Sequence, residues 1–220
     1  MNKKIVFILT LVFVLVLTGC TLSKNSEDAK KFKEEYESLN GQTNKSGKEH
    51  RSLSIDSNNP FVYATGEEIV EMIEDGETFY VYFGDKLCPW CRSVIEKAIE
   101  VANKKNIEKI YYVAIWDDEG NEILRDKYGV ENGEVVKLSD GTESYYKLLE
   151  YFDEVLSDYS LGNDLTAGEK RIYAPNFVYV EKGKAIRVTT AISDKQTDSR
   201  EELTEEILKD EEEEFNKFFK

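Results

Sequence analysis

The residues best suited to chemistry in this chain are two cysteines in the stretch Cys88-Pro89-Trp90-Cys91. An apolar, strand-like run, Phe79–Phe83, precedes the pair, and a helix-like pattern begins at Pro89. A thiolate at a helix N-terminus is stabilised by unpaired backbone N–H groups and by the positive end of the helix dipole. A second thiol one turn later is placed to form a disulfide with the first. The pair therefore suits thiol–disulfide exchange, a structural disulfide or half of a metal site.

The N-terminus has the pattern of a bacterial lipoprotein signal. Lys3 and Lys4 precede residues 5–17, which are apolar except for one threonine, and this run is shorter than the roughly 20 residues that span a bilayer. The run ends in Leu17-Thr18-Gly19-Cys20, which resembles the lipobox, where lipid is attached to the cysteine and the chain is cut before it. We therefore expect a signal peptide over residues 1–19, lipid on Cys20 and an extracytoplasmic, membrane-anchored protein. An ordinary secretory signal with an incidental cysteine is the alternative.

Composition narrows the function classes further. The chain has 220 residues, 40% of them hydrophobic, and this is enough for one domain with its own core. Its formal charge of −15 argues against nucleic acid as a partner and against electrostatic docking on anionic lipid. If lipid occupies Cys20, Cys88 and Cys91 remain as a pair in a compartment where disulfides persist. His50, the only histidine, lies in a polar region and is a poor third zinc ligand, so no metal is predicted.

The hydrophobic pattern predicts an α/β domain over residues 59–220, after a lipidated N-terminus and flexible tether over residues 20–58. The order strand, helix, strand, helix, strand implies parallel strands joined by right-handed crossovers. Predicted strands lie at 61–63, 78–83, 109–116, 135–138, 176–180 and 185–189, and predicted helices at 65–76, 89–105, 121–128, 145–159 and 199–219. In the last helix the run Glu211–Glu214 is expected to face solvent.

The element order and the cysteine pair resemble the thioredoxin-like superfamily over about residues 60–219. In that family the CxxC motif opens the helix after the second strand, and a cis-proline precedes the hairpin strand that packs against it. Here Ala174-Pro175 stands directly before Asn176–Val180, at that place. The resemblance implies a three-layer α/β/α fold with a central mixed sheet, no cofactor, and a largely helical insertion over residues 120–170 before the cis-proline strand.

The resemblance also implies roles for the site residues. Cys88 would be the exposed attacking thiol and Cys91 the buried resolving thiol, while Pro89, Trp90, Ala174 and Pro175 would shape the site and contact substrate. For Trp90 the alternative is a generic apolar cover with no substrate contact. Pro89-Trp90 is closer to the Pro-aromatic pair of glutaredoxins than to the Gly-Pro pair of thioredoxins.

One departure from the family concerns proton transfer. Thioredoxins bury a carboxylate six residues before the first cysteine, and Tyr82 occupies that position here. Asp85 and Lys86 are expected in the following loop, where they set the local charge. Lys86 and Arg92 would lower the pKa of Cys88, and Asp85 would raise it.

The expected function is that of an extracytoplasmic, membrane-anchored thiol–disulfide oxidoreductase. It would act on protein thiols or disulfides through the CPWC motif and exchange electrons with a redox partner protein. The alternative is an accessory or binding lipoprotein of the same fold whose cysteines form a structural disulfide. The lipoprotein signal and the insertion also resemble thioredoxin-like accessory proteins associated with bacteriocin export in Gram-positive bacteria.

Overall fold

A computed structural model describes residues 26–162 and 165–220 of the chain. In chain order its elements are α1 (26–37), β1 (Phe61–Tyr63), α2 (Gly66–Glu74), β2 (Phe79–Gly84), α3 (Pro89–Lys104), β3 (Ile110–Ala114), β4 (Lys127–Glu131), β5 (Glu134–Ser139), α4 (Glu143–Tyr151), β6 (Asp158–Gly162), β7 (Leu165–Lys170), β8 (Asn176–Glu181), β9 (Lys184–Thr189) and α5 (Glu205–Phe218). The expected signal peptide, Cys20 and residues 21–25 lie outside the described residues. Within the described ranges, no helix is both long enough and apolar enough to cross a bilayer.

A five-stranded mixed sheet organises the fold, as the sequence predicted for an α/β protein. Its strand order is β1-β3-β2-β8-β9, with β1 and β2 parallel to β3, and β8 antiparallel to β2 and to β9. The apolar run of β2 lies in the middle, and Val81 pairs with Tyr111 on one side and Val178 on the other. One buried cluster joins the sheet to residues of α1, α3 and α5, and a second joins it to α2 and α4. Helices therefore cover both faces of the sheet.

The N-terminal region corrects the expectation of a flexible tether, because residues 26–58 pack on the domain. Helix α1 buries Phe32 and Tyr36 completely, and Phe32 stacks on Phe61 with 4.2 Å between ring centroids. Leu53 and Ile55 are buried in the same cluster. The sequence offers few apolar residues here, but two large aromatic rings one helical turn apart bury enough surface to dock a short helix. The domain thus begins before residue 59.

The insertion over residues 120–170 also differs from the prediction, since it is not largely helical. Its described residues form two antiparallel hairpins, β4–β5 and β6–β7, and one helix, α4, between them. The helix predicted at 121–128 is absent, because side chains there bond to distant groups instead of supporting a helical turn. Arg125 donates to the Ile172 carbonyl at 3.1 Å, and the Asp126 carboxylate accepts from the Gly141 N–H at 2.7 Å. These long-range bonds hold the segment in an extended, bent path.

Two predictions about helix starts are confirmed: Thr65 caps α2 with the predicted capping box to Glu68, and Pro89 opens α3. The helices predicted at 145–159 and 199–219 are shorter than expected, since α4 ends at Tyr151 and α5 begins at Glu205. Glu211 on α5, expected on a solvated face, is 0% exposed. Sequence pattern could not find this, because α5 packs on α3 and turns one of its four consecutive glutamates inward.

Candidate active site

A short turn after β2 delivers Cys88 to the start of α3. The Asp85 carboxylate accepts from the Leu87 N–H at 2.8 Å, and the Asp85 carbonyl accepts from the Cys88 N–H at 3.2 Å. Cys88 is then the N-cap residue of α3, and its sulfur accepts from the Cys91 N–H at 3.3 Å. A thiol at this position lies among the unpaired N–H groups of the first helical turn. The predicted placement of Cys88 at a helix N-terminus is confirmed.

The structure brings the Ala174-Pro175 segment against the cysteine pair. The peptide bond between Ala174 and Pro175 is cis, and the Cys88 thiol donates to the Ala174 carbonyl at 3.3 Å. These residues are distant in sequence but adjacent in space, because β8 follows Pro175 and lies beside β2. Pro175 is buried, whereas Pro89 and Trp90 are half-buried at the rim, with Trp90 packed against the cluster that holds both cysteines.

The two thiols differ in burial less than expected. Cys91 is 0% exposed, as predicted, but Cys88 is only 3% exposed, so the expectation of an exposed Cys88 is wrong. The carbonyl of Ala174 lies against its sulfur. Both cysteines are free thiols in this structure.

The surroundings of the two thiols push their pKa values apart. Burial alone would raise the pKa of Cys88, but hydrogen bonds from the Cys91 thiol and from the N–H groups of Cys91 and Trp90 lower it, with help from the charge of Arg125. Burial raises the pKa of Cys91 well above its usual value, and the adjacent Cys88 raises it further. Cys88 is thus the thiol that ionises first and the better nucleophile near neutral pH.

The cation that lowers the Cys88 pKa was not among those named from sequence. Arg92 is 1% exposed and points away from the thiols, donating to the carbonyls of Tyr36 and Arg51. Lys86 forms an ion pair with Asp118 at 2.6 Å. Arg125 acts instead, although it lies in the insertion and shares its charge with Glu122 at 2.5 Å. No local pattern could have found Arg125, because only tertiary packing places it near the site.

Two further buried groups precede the cysteines, Tyr82 on β2 and Asp85 in the turn. The Tyr82 hydroxyl lies 3.0 Å from the hydroxyl of Tyr36, on α1, and Tyr82 belongs to the same buried cluster as Cys91. Asp85, expected to set local charge in a loop, is 3% exposed, and burial raises the pKa of its carboxyl to about 7 despite the Leu87 N–H bond. The carboxyl group nearest in sequence to the pair therefore holds a proton up to near-neutral pH.

In the described ranges, no group of three or more histidine, cysteine or acidic side chains is arranged to hold a metal ion. No model of a known protein family matches the chain, and no curated protein shows significant similarity to it. The functional argument therefore depends on the geometry of the cysteine pair.

Proposed function

We propose that this chain is a thioredoxin-like thiol–disulfide oxidoreductase that exchanges disulfides with protein substrates through Cys88 and Cys91. The observation that carries the proposal is the position of the Cys88 sulfur. It caps α3, receives the Cys91 N–H at 3.3 Å and lies 3.3 Å from the Ala174 carbonyl beside cis-Pro175. The strand order β1-β3-β2-β8-β9 and the resemblance of the motif support the thioredoxin-like class.

The proposed reaction is an exchange of sulfur–sulfur bonds through a mixed disulfide. In the reducing direction the Cys88 thiolate attacks a substrate disulfide, bonds to one sulfur and releases the other as a thiolate. The Cys91 thiolate then attacks the Cys88 sulfur, the Cys88–substrate bond breaks, and the substrate leaves as its second thiolate. The oxidising direction runs through the same intermediate in reverse. In both directions Cys88 carries the substrate and Cys91 closes or opens the internal disulfide.

The proposal includes the anchoring predicted from sequence. Lipid on Cys20 would hold the domain at the extracytoplasmic face of the cell membrane, where protein thiols and disulfides are available as substrates. Helix α1 begins its described part at residue 26, so little chain separates the anchor from the packed domain. The domain would therefore work close to the membrane.

A structural disulfide in an accessory lipoprotein is the second candidate, and the 3% exposure of Cys88 favours it. A disulfide sealed from solvent exchanges slowly, because an incoming thiolate must reach one sulfur along the S–S axis.

Trapping of mixed disulfides separates the two candidates. In the purified full chain, Cys91→Ala should accumulate covalent adducts with a denatured, disulfide-containing protein, and mass spectrometry should locate them on Cys88. Cys88→Ala is the matched control and should accumulate few adducts, because Cys91 is 0% exposed. No adduct with either variant would support the structural disulfide, and equal trapping by both would overturn the assigned roles.

A further inference from the structure

Two buried arginines, Arg125 and Arg171, share a single carboxylate, that of Glu122. Arg125 donates to this carboxylate from Nε at 3.0 Å and again from Nη2, and Arg171 donates to it from Nη2 at 3.3 Å. Arg125 is 6% exposed and Arg171 is 5% exposed. A buried guanidinium group needs both a counter-charge and hydrogen-bond acceptors. Glu122 therefore fixes the positions of both arginines, and we call the three side chains the Glu122 clamp.

The Glu122 clamp is bonded to the backbone immediately before the Ala174-Pro175 segment. Arg125 donates from Nη1 to the Ile172 carbonyl at 3.1 Å, and Arg171 is itself the residue before Ile172. Two residues after Ile172, the Ala174 carbonyl lies 3.3 Å from the Cys88 sulfur. The path of this backbone past the thiol therefore depends on guanidinium groups that the clamp holds.

The clamp is also fixed to the central sheet. The backbone of Glu122 forms an antiparallel bridge with Trp116, just beyond β3, and the Ile123 N–H donates to the Ile115 carbonyl at 3.0 Å. Strand β3 pairs with β2, and the turn that carries Cys88 begins where β2 ends. The end of the sheet that delivers Cys88 thus also holds, through the clamp, the backbone that faces it.

The position of the Ala174 carbonyl matters because it lies against a sulfur that is only 3% exposed. A substrate disulfide must meet this sulfur along the substrate's own S–S axis, so small displacements of bordering groups change the rate. A peptide that carries the disulfide also brings its own backbone against residues 172–175. A small disulfide makes fewer contacts there and should depend less on the clamp.

We propose that Glu122 is a positioning residue for disulfide exchange with peptides, because it holds Arg125 on the Ile172 carbonyl and so keeps the Ala174 carbonyl in place beside Cys88. The inference rests on the proposed function, since Cys88 must exchange disulfides for this position to matter. In the exchange the Cys88 thiolate bonds to one substrate sulfur, the substrate S–S bond breaks, and the other sulfur leaves as a thiolate. Glu122 neither gives nor takes a proton in this step.

Two disulfides with the same leaving group provide the test. In one, thionitrobenzoate is joined to a cysteine within a short unstructured peptide, and in the other it is joined to N-acetylcysteine methylamide. Every protein is the full chain with Cys20→Ser and Cys91→Ala, so that Cys88 is the only thiol. Each reaction leaves the cysteine compound on Cys88 and releases coloured thionitrobenzoate. The ratio of the peptide rate to the small-disulfide rate cancels any change in the fraction of Cys88 thiolate.

Glu122→Ala should lower this ratio roughly 10- to 100-fold, the size expected when groups at a reacting centre are misplaced by about 1 Å. Arg125→Lys keeps the positive charge but not the two-pronged contact with a carboxylate, so it should also lower the ratio. Glu122→Gln keeps the shape and one acceptor oxygen and should fall between Glu122→Ala and the reference chain. A merely structural role of Glu122 would leave the ratio unchanged in a folded chain.

Glu154→Ala is the matched control, because it removes an exposed carboxylate of the insertion that pairs with Lys184 at 3.2 Å. It should leave the ratio unchanged. A folded Glu122→Ala chain with the reference ratio would overturn the inference, as would an equally lowered ratio in Glu154→Ala. If Glu122→Ala does not fold, an unchanged ratio in Arg125→Lys overturns it.

The outcomes for this inference and for the proposed function are distinct. A reference chain whose Cys88 reacts with neither disulfide contradicts the proposed function, whatever the variants do. A reactive reference chain whose ratio is shared by every variant contradicts only the role of Glu122.

Discussion

Replacing the buried Asp85 with asparagine should stabilise the protein, increasingly so as pH rises. The carboxyl is 3% exposed, and burial raises its pKa from 3.8 to about 7. The folded state thus holds this proton more tightly than the unfolded chain. A carboxyl group of this kind costs stability as pH rises from about 4 to about 7, and the cost is constant above that range. Asparagine carries no charge and keeps an oxygen for the Leu87 N–H, which now bonds to the carboxylate at 2.8 Å.

The size of the effect follows from the two pKa values. The difference between 3.8 and about 7 corresponds to about 4 kcal/mol of unfolding free energy at 1.36 kcal/mol for each pH unit. Asp85→Asn should therefore match the wild type at pH 4 and exceed it by up to about 4 kcal/mol at pH 8. Relaxation around the buried charge would make the stability gain smaller without reversing it.

Urea unfolding of both proteins at pH 4, 6 and 8 measures the difference. Asp118→Asn is the control, since Asp118 is exposed and pairs with Lys86, and it should change the stability little at each pH. An Asp85→Asn variant that is less stable than wild type at pH 8, or a difference that does not change with pH, would refute the burial argument.

Three further predictions test other parts of the structure. Phe32→Ala should lower the free energy of unfolding by about 3–5 kcal/mol, because α1 belongs to the core. A change below about 1 kcal/mol in urea unfolding would instead support the flexible tether expected from sequence. Arg125→Gln should raise the Cys88 pKa and slow the alkylation of Cys88 by iodoacetamide at pH 7 roughly two- to fivefold. The control Arg187→Gln, on β9, should leave that rate unchanged. If Arg125→Gln and the wild type react at equal rates, Arg125 does not lower the Cys88 pKa. Glu211 is 0% exposed, both of its carboxyl oxygens lack hydrogen-bond partners, and burial raises its pKa to about 8, so it should lower the stability of the protein as pH rises from about 4.5 to 8. In urea unfolding Glu211→Gln should therefore lose less stability than the wild type over this range, and an identical pH profile would contradict this.

The elements that carry the cysteines could be predicted because their signals are local. The apolar run of β2, the proline at the start of α3 and the spacing of the two cysteines all lie within a few neighbouring residues. The Ala174-Pro175 segment needed a family resemblance as well, because nothing in its own sequence says that it meets Cys88. These local signals were enough for the centre of the sheet and for the thiols at its edge.

The remaining features depend on contacts between residues far apart in the chain. Phe32 is buried only because Phe61 and Tyr112 lie beneath it. Arg125 affects Cys88 only because the fold bonds it to the carbonyl of Ile172, just before the Ala174-Pro175 segment. Tyr82 could be recognised from sequence as replacing a carboxylate, but its hydrogen bond with the Tyr36 hydroxyl could not, because that contact requires α1 to pack on the sheet.

The central claim is that Cys88 and Cys91 form a redox-active pair, and its most direct test is the reduction potential of the pair. The full chain is equilibrated in glutathione buffers of graded composition, and the fraction of Cys88–Cys91 disulfide is determined by alkylation and mass spectrometry. We expect a potential of roughly −120 to −270 mV, the range of catalytic thioredoxin-like pairs. A potential below about −300 mV, the range of structural disulfides, would contradict the claim.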